Sequence, residues 1–93
     1  MKNLDVAHLV TGVTTEDDFD MAVAAYENGD FPSAAKLFQK LAEGGDQEAQ
    51  INLARMILDG KAPGMDRQVA VDLLKKAEAN GSDDAKDMLA GLN

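Results

Sequence analysis

Residues 47–60 read QEAQINLARMILDG, and residues 80–91 read NGSDDAKDMLAG. Each passage opens on small polar residues, continues through Ala and a polar residue, and closes on an apolar run containing Leu-Ala. Sliding the chain against itself by 36 positions aligns the two. Ala34 then falls on Ala70, Leu37 on Leu73, Lys40 on Lys76 and Gly45 on Gly81, while Ala49 meets Ala85, Leu53 meets Leu89 and Ala54 meets Ala90. Phe38 pairs with Leu74, and Asp46 with Ser82. The paired residues have the same duties: core Leu, close-contact Ala, helix-stopping Gly and helix-capping oxygen. A repeat in the middle thirties is the spacing of stacked helical hairpins, in which one hairpin cannot bury its apolar face alone.

Helical signals follow one another along the chain. TTEDDFDMAVAAYENGD begins with hydroxyl caps at Thr14 and Thr15, has acids in its first turn and ends at Asn28-Gly29. Caps, early acids and a terminal Asn-Gly suit a helix. Phe19, Ala22, Val23 and Tyr26 form its apolar face. In the second helix Asp30 caps, Pro32 sits in the first turn and Gly44-Gly45 ends it, with Ala34, Ala35, Leu37, Phe38 and Leu41 inward. Asp46 caps a third with Ala49, Leu53, Ala54 and Ile57 inward. After the broken stretch DGKAPGMD, Asp66 opens a fourth through Val69, Ala70, Leu73, Leu74 and Ala77, ending at Asn80-Gly81. Ser82 caps a short fifth with Ala85, Met88 and Leu89. The expected fold is all-α: five helices joined by short turns into an αα-hairpin solenoid of about two repeats plus a capping helix. Asp87 stands where the third helix has Ile51, as a terminal helix facing water requires. Residues 1–14 form a separate N-terminal segment without one clear period, and 15–93 form the repeat domain.

The stretch QEAQINLARMILDGKAPGMDRQVAVDLLKKAEANGSDDAK resembles a Sel-one-like repeat, a relative of the tetratricopeptide repeat. The resemblance rests on Glu48-Ala49-Gln50, Asn52-Leu53, Met56-Ile57, Asp59-Gly60, Asp66, Ala70, Leu73, Lys76-Ala77 and Gly81. Upstream, AVAAYENGDFPSAAKLFQKLAEGGDQEAQ is similar to a repeat with a shorter internal turn, and together the two cover residues 17–91. Ala54 replaces the family's usual Gly, and the loop lacks its usual Gly-x-Gly. The resemblance implies a right-handed α-α superhelix whose concave side is lined by the first helix of each hairpin. Those helices would present Asp20, Ala24 and Glu27, then Asn52, Arg55 and Asp59, then Asp87.

Composition narrows the function. The chain has 93 residues, enough for one small domain, and no Cys, hence no disulfide or thiolate chemistry. Its formal net charge is −8. Nucleic-acid binding, which depends on Lys and Arg neutralising phosphates, is not expected. An acidic surface favours basic partners or is simply solvated. No apolar run approaches the roughly 20 residues that span a bilayer. Asp5 and His8 interrupt the N-terminal apolar run and make it a poor signal peptide, so a cytoplasmic location is expected.

No catalytic constellation is visible. His8 is the only His, which excludes a histidine-centred triad or zinc site. Glu16-Asp17-Asp18 with Asp20 lacks the Gly-turned loop and bidentate Glu of a calcium site, and complements a helix dipole instead. DGKAPGMD lacks the Gly-Lys-Ser or Gly-Lys-Thr of a phosphate loop. No enzyme and no cofactor or metal are expected. Met21, Met56, Met65 and Met88 suit either a core or an adaptable binding surface. The reading is a protein-interaction module, an adaptor or regulatory subunit, that takes a peptide or helix on its concave face. Glu27, Asn52, Arg55, Met56, Asp59 and Asp87 are the candidate contacts. Arg55 leads because its planar fork can grip a carboxylate, although pairing with Asp59 at i+4 would also explain it. The alternative is a structural protein that forms a homo-oligomer through residues 1–14 or through exposed repeat ends.

Overall fold

The computed structural model describes residues 18–92, and these form five α-helices with no strand among them. Helix α1 covers residues 18–27. It is followed by α2 (Phe31–Glu43), α3 (Gln47–Leu58), α4 (Arg67–Ala79) and α5 (Asp83–Leu92). The helix start expected at Thr14 and Thr15, the segment 1–14 and His8 lie outside the described residues.

The helix boundaries arise from local chemistry. Each of Asp30, Asp46, Asp66 and Ser82 turns its side-chain oxygen onto the amide of the third residue ahead, at 3.3, 3.1, 3.2 and 3.1 Å respectively. This satisfies one of the amides that a helix start leaves without a partner. The stops are as regular. Gly45 and Gly81 adopt φ of +97° and +99°, a left-handed conformation that costs a residue with a Cβ about 1 kcal/mol or more. Gly45 N–H then donates to Ala42 O and Asp46 N–H to Leu41 O, while Gly81 donates to Glu78 O and Ser82 to Ala77 O. These are Schellman stops, which supply donors to orphaned carbonyls. The same pattern ends α1 at Gly29-Asp30 and α3 at Gly60-Lys61. In three of the four, the residue that completes the stop (Asp30, Asp46 or Ser82) also caps the next helix.

Packing runs along the sequence: α2 lies against α3, α3 against α4, and α4 against α5. Helix α1 joins through an edge-to-face contact of Phe19 on Phe38, with centroids 5.7 Å apart. Nearby, Lys40 and Asp18 form an ion pair at 3.1 Å. Ala22, Ala34, Ala49, Ala54, Ala70, Ala77 and Ala85 are fully enclosed; with no side chain beyond Cβ, they let helix backbones approach closely. Leu53, Leu74 and Phe38 fill the volume between them. Of the positions that align in the sequence, Ala34 and Ala70, Phe38 and Leu74, and Ala49 and Ala85 are buried in both copies, whereas Leu53 and Ala54 are buried and their counterparts Leu89 and Ala90 are half-buried and exposed.

Helix α3 is buried more broadly than its apolar period suggests, because it has neighbours on several sides. Gln50, Ile51 and Met56 are enclosed along with Ala49, Leu53, Ala54 and Ile57. Their counterparts on α5 include exposed Lys86 and Asp87, so α5 turns a polar face outward. Val69, expected inward, is 38% exposed at the open first turn of α4. Ala62, in the interrupted stretch before α4, is buried instead.

Two outcomes test this account. Gly45→Ala and Gly81→Ala should each cost about 1 kcal/mol in urea unfolding, since the strain is local and similar at both stops. Equal stability to the natural chain would refute the left-handed stop as a determinant. The second concerns Gln50, whose Nε2 donates to Ala42 O at 3.3 Å. Its Oε1 is buried without a partner among the described residues, an arrangement that costs about 1–3 kcal/mol. Ala42 O retains the Gly45 amide when Gln50 is replaced. Gln50→Met should therefore leave stability unchanged or raise it by about 1 kcal/mol. A loss as large as that of Gln50→Ala would show that the amide is needed.

Candidate functional site

Two helix faces with the same internal spacing meet in one groove. Helix α1 contributes Val23, Tyr26 and Glu27, at positions i, i+3 and i+4. Helix α3 contributes Asn52, Arg55 and Met56 at the same spacing, and Phe38 of α2 closes the floor between them. Residues so spaced lie on one face of a helix. The groove is open to solvent and encloses about 280 Å³, room for one or two large apolar side chains. Its floor is Phe38 and Met56, both buried. Its rim carries Glu27, Asn52 and Arg55, which supply a carboxylate, an amide and a guanidinium.

Four candidate contacts, Glu27, Asn52, Arg55 and Met56, are therefore brought together. Met56 is a core side chain, 2% exposed, and meets the groove only as part of its floor. Asp59 is the C-cap of α3, exposed one turn beyond Arg55, and does not line the groove. Asp87 is exposed on α5 and also lies outside the lining. The Arg55–Asp59 pair does not form: among the described residues the one ion pair within 4.0 Å is Lys40–Asp18. Arg55 reaches across to α5 instead, with Nη2 3.9 Å from Met88 Sδ. This weak contact carries the α1–α3 surface onto α5 and leaves the guanidinium without a carboxylate partner among the described residues.

Val23, Tyr26 and Phe38 were legible as apolar helix positions, but not as groove walls. Lys61 gave no local signal at all. From the turn after α3, its Nζ donates to Tyr26 Oη at 3.1 Å. It also lies 5.2 Å and 5.1 Å from the ring centroids of Tyr26 and Phe31. Those rings pack on each other at 5.2 Å. The ammonium thus ties the end of α3 to α1 at one end of the groove, through a hydrogen bond and cation–π attraction. Its pKa is raised above 10.5, first by the hydrogen bond to Tyr26, then by the charge of Tyr26 when ionised and by that of Asp59, against partial desolvation.

A second depression of about 200 Å³ lies between α2, α3 and α4, over Ala42, Leu53, Met65 and Leu73. Among the described residues, no cluster of three or more His, Cys, Asp or Glu could hold a metal ion. No helix there is long and apolar enough to cross a membrane. Comparison with protein-family models, with characterised proteins and with solved structures finds no match to this chain.

The Lys61 tie has a pH signature. A raised pKa in the folded state means that its stabilisation is fully present below the unfolded lysine value and is lost as pH rises through the folded one. The Tm deficit of Lys61→Gln should thus be constant near neutrality and shrink above pH 10.5. A deficit that stays the same into the alkaline range would assign the effect to side-chain packing rather than to the ammonium.

Proposed function

We propose that this chain is a protein-interaction module, an adaptor or regulatory subunit, that holds a peptide or helix in the α1–α3 groove. The observation that carries this reading is the meeting of Glu27, Asn52, Arg55 and Met56 in one open, apolar-floored groove. Rigid helices hold its walls, its floor accepts an apolar side chain, and its rim offers directed donors. Asn52 and Arg55 would hold the acceptors of a bound chain, its carbonyls or a carboxylate, while Phe38 and Met56 receive an anchor side chain. The residues act by binding rather than by catalysis.

In the same proposal the helices stack as Sel-one-like, tetratricopeptide-like hairpins, about two repeats closed by α5 and wound as a right-handed solenoid. The paired stops at Gly45 and Gly81 and the paired caps at Asp46 and Ser82 support it. So does the polar outer face of α5. The α1–α3 groove would then lie on the concave side.

Selection of random peptides displayed on phage against the full chain tests the binding reading. Selected peptides should shift the amide resonances of Val23, Tyr26, Asn52 and Arg55. Arg55→Ala should weaken them about tenfold while changing stability by less than about 0.5 kcal/mol, since the side chain is exposed. Peptides that instead perturb the surface over Leu73 and Met65, or that bind Arg55→Ala equally well, would move the site out of the groove.

A further inference from the structure

Charge is sorted between the helices. Among the described residues, α2 and α4 carry Lys36, Lys40, Arg67, Lys75 and Lys76 against Glu43, Asp72 and Glu78. Helix α1 carries Asp18, Asp20 and Glu27 with no cation, and α5 sets Asp83, Asp84 and Asp87 against Lys86. The groove lies between α1, which is acidic, and α3, which sets Glu48 against Arg55. Asp20 precedes Val23 by three positions and Glu27 by seven, which places it on the groove-facing stripe of α1. Asp59 follows Arg55 by one turn, and Asp87 adjoins Met88, on which Arg55 rests. Asp20, Glu27, Asp59 and Asp87 are all exposed. Of the nearby cations, Arg55 shares the groove with Glu27, and Lys61 is engaged by Tyr26 and the two aromatic rings. The excess around the apolar floor is therefore negative, and a chain of net charge −8 adds to it at long range.

We infer that the occupant of the groove is a basic amphipathic helix, with apolar side chains toward Phe38 and Met56 and Lys or Arg flanking them toward Asp20, Glu27, Asp59 and Asp87. Charge complementarity selects this partner. An acidic helix would find the same apolar floor and one cation, Arg55, but meet like charge at Glu27 and at the flanking Asp20, Asp59 and Asp87, and a neutral helix would leave those carboxylates without partners. Arg55 then serves as a donor to the carbonyls at the partner's C-terminal turn, where a helix leaves acceptors free. This rests on the binding function proposed above and adds the chemistry of the partner.

The test uses the full chain and two synthetic helices of roughly 14 residues, about four turns. Both carry Leu at i, i+3, i+4 and i+7; the other positions are Lys in one and Glu in its counterpart. The Leu/Lys helix should bind about tenfold tighter or better, weaken as salt rises, and shift the resonances of Val23, Tyr26 and Asn52. Glu27→Lys should reduce its affinity about tenfold, and Glu27→Gln by less, while Glu78→Lys on α4, outside the groove, should change it no more than about twofold. Equal binding of the Leu/Glu helix would overturn the basic partner but leave the groove intact if phage-selected peptides still map there. An equal loss on Glu78→Lys would reduce the effect to bulk charge and overturn it too. Groove resonances that move on dilution of the chain alone, with no response to the Leu/Lys helix, would assign the groove to a second copy.

Discussion

The fold depends on a turn that leaves no slack. At Asp30, Asp46 and Ser82 one residue both completes the stop of the preceding helix with its amide and starts the next with its side chain. Two hydrogen bonds, a left-handed Gly and a capping oxygen fix the exit and entry of the chain within a few residues. The rotation of each helix about its axis is thereby largely set before tertiary packing begins. Which side chains face which neighbour then follows from helical periodicity.

That rotation brings Val23, Tyr26 and Glu27 opposite Asn52, Arg55 and Met56. The longer links act on top of it. Gln47 Nε2 reaches Asn80 O at 3.4 Å and Arg67 Nη2 reaches Leu92 O at 2.9 Å, each joining the beginning of one helix to the end of another. Lys61, just past the end of α3, ties that end to the last turn of α1. The groove is framed from below by Phe38 and Met56 and at one end by an ammonium that bridges its walls, so its width is governed by both apolar and polar contacts.

The parts of this arrangement that depend on neighbours in sequence were legible in the sequence. Caps at Asp30, Asp46, Asp66 and Ser82 and stops at Gly29, Gly45 and Gly81 are local chemistry and are found where the residue types place them. The resemblance to stacked hairpins, not spacing, put Glu27, Asn52 and Arg55 on one surface, and it named Asp59 and Asp87 with them, which do not line the groove. Burial on the flanks of α3 was not legible, because a period identifies one apolar stripe and α3 has several neighbours; hence Gln50 and Ile51. Val69 erred the other way, as an apolar residue in a first turn that its neighbours only partly cover. Lys61 and Tyr26 are 35 positions apart, and no pattern of spacing announces that one will donate to the other. Arg55 illustrates the limit most clearly: local spacing offered Asp59, and the fold supplied Met88.

The order of packing also bears on how the molecule acquires its structure. The most extensive contacts are between helices that neighbour one another in the chain, α2 with α3, α3 with α4 and α4 with α5. Each contact closes only a short loop, so the entropy lost before it forms is small. The chain can therefore gain order one hairpin at a time, beginning wherever two adjacent helices first meet, with α3 as the element most of the others must find. Contacts such as Lys61 to Tyr26 can form only after that, and the α1–α3 groove is accordingly among the last features to be completed.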